Sequence, residues 1–183
     1  MGKRIFIAIP LPKDTQQIIR NVQEKLQKFN WPVRWEPAEK LHITLQFLGS
    51  IFPEELRAVG QIASRSVSGR APFIVGLRGF TVLPSAHAPH VICIKGVASY
   101  QLAQLQSSVA AGLAKQEIGK PERRPFSGHV TIGRISKPGA NYRILEKLEF
   151  DEHFKVHSVQ VVESVLQPER AHYTVIRSFP LRV

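Results

Sequence analysis

The segment Leu41-His42-Ile43-Thr44-Leu45 has a second copy, Gly128-His129-Val130-Thr131-Ile132, that begins 87 residues further along the chain. Side chains of a β-strand alternate between its two faces. Each copy therefore places its histidine and threonine on one face and its apolar residues on the other. A single His-x-Thr is too short to be informative, but two copies at equivalent positions indicate an internal duplication.

The order of the predicted elements supports this duplication. Strand, long helix, strand, helix and strand occur in each half of the chain, with the midpoint in a loop rich in proline and histidine at residues 84–90. A turn is predicted at residues 167–170. The hydrophobic periodicity predicts strands at 4–9, 33–35, 41–48, 73–83, 90–95, 126–135, 154–166 and 173–179, and helices at 14–29, 53–67, 99–117 and 141–148.

These elements predict an α+β fold in a single bilobal domain that covers residues 1–183. The pseudo-repeats span about 4–83 and 90–166, and a closing strand spans about 172–180. We expect two mainly antiparallel sheets that face a central cleft, with the helices on the outside.

The composition limits the class of protein. Hydrophobic residues make up 43% of the 183 residues, which is ordinary for a globular protein and too high for a disordered one. No apolar run approaches the ~18 residues that a membrane-spanning helix needs. The single cysteine, Cys93, lies in an apolar segment and is expected to be a buried small side chain and not a nucleophile. The expected location is cytoplasmic, with no membrane partner.

The charge points to a polyanionic partner. Lysine and arginine total 25 against 14 acidic residues, a net charge of +11. Nucleic acid is the commonest partner of such a basic chain. The charge is dispersed, however, with no long basic run, so charge alone leaves open both RNA binding and a merely basic surface.

The duplicated motif supplies the groups for acid–base chemistry at phosphorus. If the two halves face each other, His42 and His129 lie around one cleft together with Thr44 and Thr131. An imidazole with an ordinary pKa near 6.5 takes up or releases a proton close to neutral pH. A threonine hydroxyl donates a hydrogen bond to a phosphate oxygen. One imidazole would accept a proton from water while the other protonates the departing ribose oxygen.

Two longer segments resemble the signature of a known family. Residues 35–49 (WEPAEKLHITLQFLG) and 125–134 (PFSGHVTIGR) are similar to the two signature segments of the 2′-5′ RNA ligase family, RNA 2′,3′-cyclic phosphodiesterases within the two-histidine phosphoesterase superfamily. The resemblance extends from the first strand to the closing strand. It implies a bilobal fold, a central basic groove lined by both signature strands, and no cofactor.

The resemblance also implies roles for individual residues. His42 corresponds to the proton donor and His129 to the proton acceptor that activates water, with Thr44 and Thr131 as donors to phosphate oxygens. Arg134 corresponds to an arginine that stabilises charge on the phosphate. Strict alternation would place Arg134 on the face opposite His129, so we expect a β-bulge at Gly133 or a strand end there. Gly128 departs from the proline that family members often carry, which predicts a looser strand entry.

Two aromatic residues are candidates for stacking on a base of single-stranded RNA. Phe47 lies two residues after Leu45, so strand alternation places both on the same apolar face, which favours packing in the core over base stacking. For Phe126 neither interpretation is favoured. The basic loop at residues 120–124 precedes the second motif and is either a solvated loop or a segment that steers RNA into the cleft.

The other histidines show no ligand spacing of the zinc type, so no metal site is predicted. They are His87, His90, His153, His157 and His172.

Three alternatives share these features. A non-catalytic RNA-binding module would keep the fold, although it would not need two histidines and two threonines. A cyclic phosphodiesterase acting on a small nucleotide, such as ADP-ribose cyclic phosphate or 2′-5′ oligoadenylate, would use the same chemistry. The same site could also run in reverse as a 2′-5′ RNA ligase. The expected partner is RNA with a 2′,3′-cyclic phosphate end, such as a tRNA half, bound by a monomer.

Overall fold

The computed structural model describes residues 2–120, 124–137, 139–167 and 171–183. The predicted turn at 167–170 and the basic loop at 120–124 therefore lie partly outside the described residues. The strands are β1 (Lys3–Pro10), β2 (Val33–Trp35), β3 (His42–Ile51), β4 (Phe73–Pro84), β5 (Pro89–Gly96), β6 (His129–Ile135), β7 (Asp151–Val156), β8 (Ser158–Val165) and β9 (His172–Pro180). The α-helices are α1 (Lys13–Gln27), α2 (Leu56–Val67) and α3 (Tyr100–Lys115), and short 3-10 helices cover Ala38–Lys40, Pro53–Glu55 and Arg143–Lys147.

The long helices form where the periodicity predicts them. At α3 the Ser99 hydroxyl accepts a hydrogen bond from the Leu102 backbone N–H at 3.2 Å and caps the helix. The predicted apolar face of α3 is buried, as are its counterparts on α1 and α2. The structure differs at three places: the helix predicted at 141–148 is a 3-10 turn, the strand predicted at 126–135 begins at His129, and the strand predicted at 154–166 is divided into β7 and β8 at His157.

Strand β1 is apolar on both faces. Ile5, Ile7 and Ile9 belong to the main core, which also contains the buried faces of the helices. Phe6 and Ala8 point to the opposite face, where they form a small second cluster with Val162. A strand that is covered on both faces has a continuous hydrophobic sequence. This agrees with the position of β1 inside the sheet, between β3 and β8.

In the described part of the chain the strands form one nine-stranded sheet in the order β7-β4-β5-β6-β3-β1-β8-β9, with β2 paired to β6. Each neighbouring pair is antiparallel. The order is symmetric about the β6–β3 seam. Strand β4 belongs to the first predicted pseudo-repeat but pairs with β5 and β7 of the second. Strand β8 belongs to the second but pairs with β1 of the first. Each predicted pseudo-repeat therefore extends one strand into the other half of the sheet. The duplication itself stays a prediction.

The α+β class and the mainly antiparallel pairing are confirmed, but the two predicted sheets are halves of one continuous sheet. At the seam, β3 and β6 pair only at Ile43 and Val130. Farther along β6, strand β2 takes over the pairing, from Val33↔Ile135 to Trp35↔Gly133. Separate sheets would have left two unpaired strand edges in the middle of the molecule, which is costly.

Candidate active site

The two motif strands meet at the seam. Ile43 and Val130 lie opposite each other there, and both are fully buried in the main core. The neighbours of this pair point to the other face of the sheet. In an antiparallel register His42 then lies across the seam from Thr131, and Thr44 lies across from His129. The fold thus brings the four motif side chains to one place, and each is half-buried: His42, Thr44, His129 and Thr131.

Hydrogen bonds fix the orientation of the His42 ring. Its Nδ1 lies 2.6 Å from the Lys40 carbonyl oxygen, and its Nε2 lies 3.1 Å from the Thr44 hydroxyl. A carbonyl oxygen only accepts, so Nδ1 carries the proton and Nε2 is the nitrogen that faces the seam. The Phe6 ring stacks on the imidazole with the ring centroids 5.0 Å apart.

His129 is held in the same way. Its Nδ1 lies 2.9 Å from the carbonyl oxygen of Ser127, which again stands two residues before the histidine. Nδ1 of His129 is therefore the donor, and its Nε2 is free to take part in chemistry. In both histidines Nδ1 donates to the carbonyl oxygen two residues earlier, so Nε2 is the nitrogen left for chemistry, a result that the spacing of the motifs alone does not show.

Burial makes the protonated form of His42 unfavourable. Desolvation lowers the pKa of His42, and the positive charges of Arg134 and His129 lower it further. The Lys40 carbonyl and the Glu36 carboxylate oppose this effect but do not cancel it. Protonated His42 is consequently a stronger acid than an ordinary imidazolium.

Arg134 reaches the site because β6 contains a bulge. The pairing with β5 runs from Ile92↔Gly133 to Cys93↔Thr131 and skips Ile132. This extra residue confirms the expected bulge at Gly133 and reverses the alternation before Arg134. A side chain at Gly133 would collide with Val33, because its Cβ would lie 2.6 Å from a Val33 methyl group.

Glu36 and Tyr173 hold Arg134 in place. The Nε of Arg134 donates to the Glu36 carboxylate at 2.6 Å, and the guanidinium lies near enough to the Tyr173 hydroxyl for each group to shift the pKa of the other. Although burial opposes the positive charge, the Glu36 carboxylate raises the pKa of Arg134. Burial also raises the pKa of Tyr173, so its phenol remains a hydrogen-bond donor at neutral pH.

The motif reading did not identify Glu36 or Tyr173 as parts of the site. Glu36 lies 98 residues from Arg134 along the chain, and no local pattern connects the two. Tyr173 stands on the closing strand, and its ring meets the His42 ring edge-on at a centroid distance of 5.7 Å. The sequence offers only their positions as a guide to their role. Glu36 lies within the first signature segment, and Tyr173 lies within the closing strand.

The expectation that Phe47 packs in the core is wrong. Its side chain is 64% exposed and leans on Phe6 at a centroid distance of 5.8 Å. The pairing of β3 with β1 contains two irregularities, and the one nearer the motif skips Leu45 between Thr44 and Gln46. This bulge reverses the alternation after Leu45, so Phe47 faces outward beside Phe6 and Leu48 faces the core. Phe126 is half-buried and packs against the main core.

Cys93 is buried as expected. Its Sγ lies 3.6 Å from the Thr131 hydroxyl. Desolvation raises the pKa of Cys93 to about 11, so the thiol is neutral and supports Thr131 without acting as a nucleophile.

A cavity of about 440 Å³ opens beside His42. Its walls come from β1, β8 and β9, from the start of α1 and from the 3-10 turn before β3. It lies on the His42 side of the seam only, since no residue of the second motif lines it.

Within the described residues, no three histidine, cysteine, aspartate or glutamate side chains come together in a way that could hold a metal ion. Among the helices that the structure describes, none is both long and apolar enough to span a bilayer.

Comparisons with known proteins agree with the fold and with the family resemblance. A protein of Thermus thermophilus named RNA 2′,3′-cyclic phosphodiesterase is 30% identical over 98% of this chain and 90% of its own length. A protein of the same name from Methanothermobacter thermautotrophicus is 26% identical over 99% of this chain and 100% of its own length.

Solved structures show the same architecture. The Thermus thermophilus protein TT0787 superposes with a TM-score of 0.87 at 28% identity, covering 98% of both chains. LigT of E. coli, solved in complex with 3′-AMP, superposes with a TM-score of 0.82 at 23% identity, covering 99% of both chains, and shows the fold alone. The family model described as the 2′-5′ RNA ligase superfamily matches residues 11–167. The chain belongs to the 2′-5′ RNA ligase superfamily.

Proposed function

We propose that this chain hydrolyses 2′,3′-cyclic phosphodiester ends of RNA to 2′-phosphomonoesters, with His42 and His129 as an acid–base pair. The observation that carries the proposal is the matched pair of imidazoles. Each donates Nδ1–H to a backbone carbonyl oxygen two residues earlier and so keeps Nε2 for chemistry. The names of the relatives support the same reaction.

In the proposed reaction, His129 accepts a proton from water as the water oxygen attacks phosphorus. On the opposite side of the phosphorus atom, the bond to O3′ breaks, and His42 donates its proton to that oxygen. The products are a 2′-phosphomonoester and a free 3′-hydroxyl. The assignment of His42 as the acid comes from the family resemblance, and its lowered pKa makes its protonated form a better proton donor than an ordinary imidazolium.

Thr44, Thr131 and Arg134 would bind the non-bridging phosphate oxygens. In the free protein the Thr44 hydroxyl lies against Nε2 of His42, so it turns to the phosphate when the substrate arrives. The phosphate charge would then favour protonated His42. Arg134 uses Nε for Glu36, which leaves its terminal nitrogens to stabilise the charge that develops in the transition state.

RNA is favoured over a small nucleotide because the net charge of +11 suits a longer polyanion. In our proposal the substrate is an RNA end, such as a tRNA half, and the enzyme acts as a monomer. The same residues could run the reaction backwards and join such an end to a 5′-hydroxyl as a 2′-5′ linkage. Water at ~55 M favours hydrolysis unless both RNA ends are held together.

The test is incubation of the protein with RNA that ends in a 2′,3′-cyclic phosphate, followed by identification of the product isomer. We expect a 2′-phosphate, and we expect His42→Ala and His129→Ala each to lower kcat at least ~100-fold. His157→Ala, which removes an imidazole between β7 and β8, is the matched control and should retain activity. A 3′-phosphate product, or near wild-type activity in either motif variant, would overturn the proposal.

A further inference from the structure

One polar side chain interrupts the buried face of helix α1. Gln23 is 4% exposed and lies between Ile19 and Leu26, which are buried in the main core. An amphipathic helix normally carries an apolar residue at such a position. Burying an amide also costs free energy unless the amide is hydrogen-bonded. A residue that departs from the pattern of its helix in this way is a candidate for a functional role.

The side-chain amide nitrogen of Gln23 donates to two main-chain carbonyl oxygens. One oxygen belongs to Glu36 and the other to Ile132, and each lies 2.8 Å from the nitrogen. An amide nitrogen has two hydrogens, so each oxygen receives one of them. The backbone N–H of Glu36 also donates to the Ile132 carbonyl oxygen, at 3.0 Å. Gln23 thus connects helix α1 to both signature segments where the pairing of β2 with β6 ends.

The two peptides that Gln23 holds determine where Arg134 lies. The Ile132 carbonyl belongs to the peptide between the extra residue of the β6 bulge and Gly133. This bulge returns Arg134 to the face of the motif side chains. The Glu36 carbonyl belongs to the residue whose carboxylate accepts from the Arg134 Nε at 2.6 Å. One buried amide therefore holds the backbone on both sides of the Glu36–Arg134 ion pair.

We propose that Gln23 is a positioning residue for Arg134, an inference that rests on the proposed function. Helix α1 packs on the main-core side of the sheet, whereas the motif side chains point to the other face. Gln23 therefore acts through the backbone of its partners and does not touch the substrate. Because Arg134 is proposed to stabilise the transition state, the loss of Gln23 should lower kcat and leave KM nearly unchanged.

The first test replaces Gln23 with leucine, which has a similar volume but no donor. Steady-state hydrolysis of the cyclic-phosphate RNA is measured under conditions in which circular dichroism shows each variant to be folded. Gln23→Leu should lower kcat about tenfold, because a displaced group loses much of its effect on the transition state. KM should change less than about twofold. Gln23→Met, which keeps the unbranched shape of glutamine, should show the same loss.

A matched control separates positioning from stability. Ile19→Val removes a methylene group one turn away on the same buried face and lowers stability without removing a hydrogen bond. Its kcat should stay within about twofold of the wild-type value. The Arg134→Met background identifies the residue through which Gln23 acts. In that background Gln23→Leu should lower kcat by less than about twofold further, because the group that it positions is already absent.

A second measurement does not depend on catalysis. The Nε–H of Arg134 donates to a carboxylate oxygen at a short distance, so its proton NMR signal should lie downfield of the signal from a solvated arginine. Gln23→Leu should move this signal upfield, and Ile19→Val should leave it in place.

Three outcomes would overturn the inference. They are a wild-type kcat in Gln23→Leu, an equal loss of kcat in Ile19→Val or in the Arg134→Met background, and an Arg134 Nε–H signal that Gln23→Leu leaves unchanged. If the wild-type protein cleaves no RNA with a cyclic phosphate end, the proposed function itself fails. The Nε–H signal still reports whether Gln23 holds Arg134 in place, so the two failures are distinguishable.

Discussion

Replacing Glu36 with glutamine tests how the site positions Arg134. Glu36→Gln keeps the shape of the side chain but removes the carboxylate that holds the Arg134 Nε at 2.6 Å. The guanidinium would then lose its charged anchor and keep only Tyr173. Because Arg134 is proposed to act on the transition state, we expect the loss to fall mainly on kcat.

The size of the effect follows from the exposure of the pair. A hydrogen bond between charged groups contributes about 1.5–3 kcal/mol when it is well shielded. The Arg134 side chain is 45% exposed and that of Glu36 is 15% exposed, so solvent reduces this to about 1 kcal/mol. The expected decrease in kcat is therefore about fivefold. Arg134→Met, which removes the charge altogether, should cost ~100-fold or more.

The assay is steady-state hydrolysis of the cyclic-phosphate RNA at constant salt. Asp151→Asn is the matched control, because it removes a carboxylate from the Arg78–Asp151 ion pair at 2.9 Å on strands β4 and β7. Both variants raise the net charge by one, so any general attraction to RNA changes equally. Unchanged kcat in Glu36→Gln would refute the positioning role. A loss as large as that of Arg134→Met would show that Glu36 takes part in the chemistry directly.

Three further predictions concern pH, metal and stability. His42 must be protonated to act as the acid, so kcat/KM should fall as pH rises through the lowered pKa of His42 in the free protein. Because bound phosphate favours protonated His42, kcat should fall only at a higher pH. A fall of kcat/KM and kcat at the same pH would contradict this prediction. Activity should persist in excess EDTA, and loss of activity that one added divalent ion restores would reveal a missed metal site. Gln23→Leu should lower the free energy of unfolding, measured in urea, by about 1–3 kcal/mol. The reason is that Gln23 is buried and donates to the Glu36 and Ile132 carbonyl oxygens, both at 2.8 Å. The exposed Gln17→Leu is the control, and equal stability of the two variants would refute the role of Gln23.

Strand alternation was sufficient to place the four motif side chains on one face. It holds there because Ile43 and Val130 are buried in the main core, and a one-residue slip would expose them. The expected bulge at Gly133 was also recoverable, since Arg134 had to return to the face of the motif.

Other features depend on tertiary pairing that no local pattern encodes. The alternation of Phe47 fails because a bulge in the pairing with β1 skips Leu45, just before Phe47. The pairings of β4 with β7 and of β8 with β1 join strands that are distant in the sequence. The contacts of Glu36 and Tyr173 with Arg134 form only once the seam and the closing strand are in place.

The most direct test of the acid–base assignment uses an RNA end in which sulfur replaces O3′ in the cyclic phosphate. A thiolate leaves with little need for protonation, so this substrate removes the requirement for an acid and keeps the requirement for a base. We predict that His42→Ala approaches the wild-type rate on this substrate, while His129→Ala remains at least ~100-fold slower. Rescue of His129→Ala in place of His42→Ala would contradict the assigned roles.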